Sequence, residues 1–138
     1  MREINQLVVH CSDTPDNVEF DASDIHRWHL ERSWDGIGYH EVIKRDGRMD
    51  AGRPWYWVGS HAFGHNGDSM SVCLIGREDY TDEQIDSLVR LLVEWRVRWQ
   101  NAVIVGHYEL DPGKTCPNID MHLIRDKVDE QLQSFSLD

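Results

Sequence analysis

Residues 81–107 read TDEQIDSLVRLLVEWRVRWQNAVIVGH, and this stretch decides the fold class. Thr81-Asp82-Glu83-Gln84 has the form of a capping box, in which the Thr81 and Gln84 side chains satisfy each other's backbone N–H groups. Ile85, Leu88, Leu92, Trp95 and Trp99 follow at helical spacing and predict one long amphipathic helix. Ala102 to Val105 then predicts a β-branched strand, closed by Gly106 and His107. A helix that hands over within a few residues to a buried type of strand is characteristic of an α/β chain.

The flanking sequence repeats the alternation. Ile4 to His10 predicts a first strand, ended by the turn signal Ser12-Asp13-Thr14-Pro15. Ser23 to Arg32 predicts a helix, with Asp21 or Ser23 as N-cap and Ile25, Trp28 and His29 on one face. Gly38 to Lys44 and Arg48 to Ala51 flank Arg45-Asp46-Gly47, a hairpin signal. Val72 to Ile75 predicts a further strand, and a last helix is expected from about Met121 to Gln133. The expected fold is a single α/β domain over residues 1–138, a central mixed β-sheet flanked by about three helices.

The formal charge is −11, from 25 acidic against 14 basic residues. Phosphate backbones are bound by clustered Lys and Arg, and no basic stripe is visible, so a nucleic-acid partner is not expected. No apolar run approaches the ~20 residues that span a bilayer, so membrane insertion is not expected either. Met1 to Gln6 has no secretory pattern, which predicts synthesis in the cytoplasm and delivery by another agent to any substrate outside it.

Three cysteines without a secretory signal do not predict a disulfide framework. Cys73, in Ser71-Val72-Cys73-Leu74-Ile75-Gly76, reads as a buried strand thiol. Cys11 follows His10 on a strand and is expected to point to the opposite face. Cys116 lies in the loop Asp111-Pro112-Gly113-Lys114-Thr115-Cys116-Pro117, where a thiol near a lysine is a candidate thiolate. Of the eight histidines, His26, His29 and His122 fall on predicted helices and read as surface or half-buried side chains. His10 and His107 differ because each ends a β-branched run, the place where α/β sheets bind ligands. Two imidazoles and a thiolate make a sound zinc site, and three protein ligands leave a fourth position open, which is the catalytic form of coordination.

Seven fragments occur in order: Val9-His10-Cys11-Ser12-Asp13-Thr14, Gly38-Tyr39-His40, Ile43-Lys44-Arg45-Asp46-Gly47, Ala51-Gly52-Arg53, Gly59-Ser60-His61-Ala62, Ser71 to Gly76, and Lys114-Thr115-Cys116-Pro117. Together they resemble the zinc-dependent N-acetylmuramoyl-L-alanine amidases of the phage-lysozyme (endolysin) type, relatives of the peptidoglycan recognition proteins. The resemblance runs from about Ile4 to Ile124. It implies one Zn2+ held by His10, His107 and Cys116, with Tyr39 and Lys114 as assisting catalytic residues. His61 and Asn66 match positions in or near the family's groove. The implied reaction is hydrolysis of the amide between N-acetylmuramic acid and L-alanine in peptidoglycan. The implied setting is host lysis by a monomeric phage or prophage enzyme, made in the host cytoplasm and delivered to the wall by a separate holin-like protein.

Tyr39 has an ordinary pKa near 10, so its role as general base or water-orienting group stays open. Trp28, Trp34, Trp55 and Trp57 are candidates for stacking on sugars, and equally for the scaffold. Two other readings share the sequence. A non-catalytic peptidoglycan-binding module typically replaces the zinc-binding cysteine, which is present here. A cytoplasmic muropeptide-recycling amidase would share the chemistry and differ in substrate.

Overall fold

The structure is a computed structural model that describes residues 2–136. Five strands form one sheet: β1 (Gln6–Cys11), β2 (Glu41–Ile43), β3 (Met49–Ala51), β4 (Ser69–Leu74) and β5 (Val103–Gly106). Their order is β3-β2-β4-β1-β5. β1 runs parallel to β4 and β5, β2 runs parallel to β4, and β3 is an antiparallel edge strand. The helices are α1 (Ala22–Glu31), α2 (Asp82–Arg98), the four-residue α3 (His107–Leu110) and α4 (Met121–Ser136).

Side-chain alternation divides the sheet into two faces. Leu7, Val9, Val72, Leu74 and Ile104 join Leu88 and Leu92 of α2 and Ile124 and Val128 of α4 in the main core. Val42, Cys73 and Ile75 pack on Ile25 of α1 in a smaller cluster on the other face. Leu88 and Leu92 have no exposed surface. Truncating either to alanine in such a core costs about 2–5 kcal/mol. The capping box of α2 forms as expected. Gln84 goes further: its amide N–H groups donate to the carbonyls of Ile75 (2.8 Å) and Ile43 (3.3 Å), tying the start of α2 to the ends of β4 and β2.

Of the two N-cap choices for α1 the structure takes Asp21, with a capping box completed by Asp24, and several element boundaries differ from the sequence reading. β2 is shorter than expected because Gly38 and Tyr39 use their backbone elsewhere: Gly38 accepts from Ser60 N (3.0 Å) and Tyr39 from Arg53 N (2.9 Å). β4 begins earlier, at Ser69, because Ser69 and Ser71 point to the α1 face while Met70 and Val72 fill the main core. The hairpin between β2 and β3 turns at Gly47, whose φ of +86° favours glycine.

Among the described residues, Glu41 on β2 is the carboxylate whose ionised form the fold disfavours. Burial, then Asp50 and Glu94, push its carboxyl up from 4.5 to about 7. A raised carboxylate pKa means that the native state binds the proton more tightly. The resulting stability cost is absent below about pH 4.5, grows through the interval and is complete above about pH 7. Glu41→Gln is therefore expected to stabilise the fold at pH 8 by about 1 kcal/mol, allowing for partial solvent screening. That gain should vanish near pH 4 in urea titrations; an equal gain at both pH values would contradict it.

Candidate metal centre and active-site cleft

In a sheet whose central strands are parallel, their C-terminal ends lie together. His10 is the next-to-last residue of β1, and His107 follows β5 as the first residue of α3, so the two rings meet with centroids 4.4 Å apart. Cys116 comes from the α3–α4 loop, where its carbonyl accepts from Tyr108 N at 2.9 Å and its sulfur from Cys11 N at 2.9 Å. One ligand atom from each of His10, His107 and Cys116 lies within 4.8 Å of the other two.

The electrostatics suit a cation. Metal ligands must bind deprotonated. Burial, followed by His61 and His107, holds His10 well below the usual histidine value. Burial also lowers His107, with Lys114 adding to the effect. Both rings are therefore neutral donors at pH 7. The contact between the Cys11 and Cys116 thiols holds Cys11 down at about 7, while the same contact and burial raise Cys116. At Cys116 itself, the Cys11 N–H that donates to its sulfur at 2.9 Å favours the thiolate a metal would need. Cys11 is closer to the site than strand alternation suggested, because the chain turns at its end and its N–H meets the Cys116 sulfur.

These residues floor a cleft of about 680 Å3. All seven residues singled out from the sequence line it: His10, Tyr39, His61, Asn66, His107, Lys114 and Cys116. Tyr39 lies 5.1 Å from His10, centroid to centroid, and burial raises its phenol well above the ordinary value. Its position is set by α1. His26 and His29 accept through Nδ1 from Ile37 N and Gly38 N, both at 3.0 Å, so two helical histidines hold the backbone just before Tyr39. Asn66 accepts from His61 N and Ala62 N, both at 2.9 Å, and so shapes the opposite wall.

The sequence reading missed His29, Arg32 and Phe63 in the cleft lining. His29 is buried and held down at about 4 by burial and then by Arg32, so it is a neutral part of the wall rather than a surface charge. Its i, i+4 relation to Ile25 was the available signal. Of the four tryptophans considered for sugars, Trp34 lines the cleft. Trp28 packs edge-on against Phe20, and Trp55 carries the Arg98 guanidinium 4.1 Å above its ring, so these two are scaffold. Trp57 is exposed but lies outside the cleft lining.

Residues 1–119 match the family model for N-acetylmuramoyl-L-alanine amidase. The chain belongs to the N-acetylmuramoyl-L-alanine amidase family. It is 39% identical over 128 residues to the endolysin of Klebsiella phage KP32, covering 87% of this chain and 84% of that one. It is 41% identical over 123 residues to the endolysin of Escherichia phage T7, covering 83% and 81%. Among solved structures it is similar to N-acetylmuramoyl-L-alanine amidase LysC from Clostridium intestinale, with a TM-score of 0.85, 28% identity, and 93% and 87% of the two chains covered. These amidase relatives and the cleft together make the chain a family enzyme with a candidate metal site.

The Asn66 contacts carry a stability consequence. Removing the acceptor leaves two partly buried N–H groups unpaired, at a cost of about 1–3 kcal/mol. Asn66→Ala is expected to lower Tm by about 2–8 °C in calorimetry. Asn66→Asp, which keeps the acceptor oxygen, should lose much less; equal losses in both variants would contradict the assignment.

Proposed function

We propose that this chain is a zinc-dependent amidase that cleaves the amide between the lactyl group of N-acetylmuramic acid and L-alanine in peptidoglycan, acting as a phage or prophage endolysin. The observation that carries the reading is the convergence of His10, His107 and Cys116 at the floor of the cleft. Two neutral imidazoles and a thiol are the donor set of a three-ligand zinc centre. Bound there, the ion would supply Lewis acidity toward the scissile carbonyl and acidify water.

The chain's own residues do the rest. At about 680 Å3 the cleft has the volume of a site for a sugar-peptide segment, with the exposed Trp34 and Phe63 as apolar surfaces in its lining. Tyr39, whose ring lies 5.1 Å from that of His10, would donate its phenol O–H to the carbonyl oxygen as negative charge grows there. Lys114 is exposed and lines the same cleft, and in this reading its ammonium group would stabilise the same oxygen. Donors placed where charge develops give the largest rate effects. Among the described residues no helix is long and apolar enough to cross a membrane. In the endolysin reading the monomeric chain is made in the host cytoplasm and reaches the wall after a separate holin-like protein has permeabilised the membrane.

The deciding experiment is mass spectrometry of the products from zinc-loaded protein and intact, purified peptidoglycan. Stem peptides with a free L-alanine N-terminus and intact glycan strands are expected. Cleavage of soluble anhydro-muropeptides alone would move the protein to a recycling role, and no cleavage of either would leave a binding module. In a second test, Lys114→Ala is expected to keep its zinc content and Tm while turnover falls about 100- to 1000-fold. Wild-type turnover in that variant would remove Lys114 from the reaction.

A further inference from the structure

A hydrogen-bonded chain runs from the candidate metal centre into the core. His10 Nε2 lies 2.8 Å from His61 Nδ1. His61 Nε2 lies 2.9 Å from the Ser69 hydroxyl. That hydroxyl lies 2.7 Å from the carbonyl oxygen of His65. Ser69 is fully buried at the start of β4 and does not line the cleft. We propose that Ser69 is a positioning residue that, through His61, fixes the tautomer of His10 and leaves its Nδ1 as the metal-binding atom.

The proton count follows from the fixed end. A carbonyl only accepts, so the single proton of Ser69 goes to His65. The serine oxygen must then accept from His61 Nε2–H. A neutral imidazole carries a single N–H, so with Nε2–H given to the Ser69 oxygen the Nδ1 of His61 is bare. The 2.8 Å contact between two ring nitrogens needs one donor, which must be His10 Nε2–H. His10 is neutral and has no second N–H, and Nδ1 keeps its lone pair.

Metal-binding histidines are usually oriented by a carboxylate or a carbonyl at the other ring nitrogen. Here the partner is another imidazole, which has two tautomers of its own and would otherwise leave His10 undetermined. Ser69 removes that freedom, and the His65 carbonyl, which has no alternative protonation, anchors the series. The loop is built for this: Asn66 holds His61 N and Ala62 N, and His65 N donates to the Ala62 carbonyl at 2.9 Å.

The inference rests on the reading of the site as a metal centre, and its test separates the two. In metal-free, 15N-histidine-labelled protein, long-range 1H–15N spectra are expected to show His10 and His61 both in the Nε2–H form. Either ring in the Nδ1–H form would overturn the proposal, whatever the metal does. After loading with 113Cd, coupling is expected to His10 Nδ1, and coupling to Nε2 would overturn it. Folded protein with the expected tautomers but no affinity for zinc or cadmium would overturn the metal reading and with it the role given to Ser69.

Ser69→Ala is expected to weaken zinc binding about 10- to 100-fold in chelator competition and to mix the His61 tautomers. Unchanged affinity with unchanged spectra would refute the proposal. Should that variant not fold, the His61 pair decides. His61→Asn keeps an acceptor oxygen near the place of Nδ1 and should recover most of the zinc affinity that His61→Leu loses. Equal loss in both would count against the relay.

Discussion

Parallel pairing of β1 with β4 on one side and β5 on the other is the constraint from which the site follows. It brings the carboxyl ends of three strands to one edge of the sheet, where His10 and His107 face each other. Were β5 antiparallel, its four residues would carry His107 about 13 Å to the far end. The pairing is held by residues on the opposite face, Leu7, Val9, Val72, Leu74 and Ile104, under α2 and α4. A slip of one residue along β1 would turn His10 into that core and Val9 into the cleft. The apolar pattern of one face therefore sets the chemistry of the other.

The face toward α1 is assembled differently. It buries Ser69, Ser71, His10 and His40, and buried polar groups are tolerable only when paired. His40 shows how completely this is met. Its Nδ1 accepts from Ser71 N at 3.1 Å, and its Nε2 donates to the Trp57 carbonyl at 2.8 Å. Arg2 closes the loop between β3 and β4 from beneath, donating to the carbonyls of Trp55, Trp57, Asn66, Gly67 and Ser69. The wall that carries His61 is thus fixed by directional bonds rather than apolar packing. Such a wall holds ring nitrogens in place while leaving the cleft open to a polar substrate.

The sequence was most legible where periodicity and strand ends coincide. The α2 capping box, the alternating faces of β1 and the terminal positions of His10 and His107 could all be read from local pattern, because each depends on neighbours within a few residues. Cys116 could be proposed from its loop and its chemistry, but its approach to Cys11 depends on how a loop folds back across more than a hundred residues. His26 and His29 were read as ordinary helical side chains because nothing local announces that a later loop will donate its N–H groups to them. β4 was read short for a similar reason: Ser69 and Ser71 look like loop residues until the buried partners on their face are known. The missed features are polar and long-range, and periodicity carries no information about them.

The third candidate ligand comes from a loop, yet it is not loosely held. Tyr80 donates through its hydroxyl to the Pro117 carbonyl at 2.7 Å, and Asn118 donates to the Arg77 carbonyl at 2.8 Å. On the near side, Glu109 accepts from Gly106 N at 2.9 Å and pairs with Arg125 at 2.8 Å, which fixes α3 against α4. Lys114 N donates to the Asp111 carbonyl at 3.0 Å, so the lysine rides on the same clamped segment as Cys116. Ordering a ligand-bearing loop would otherwise be charged against binding. Here folding has already met that cost, and one segment delivers both the thiol and the ammonium group. In the zinc-amidase reading proposed above, a change that loosens the segment would therefore weaken metal binding and catalysis together, whereas a change at Lys114 itself would touch only the second.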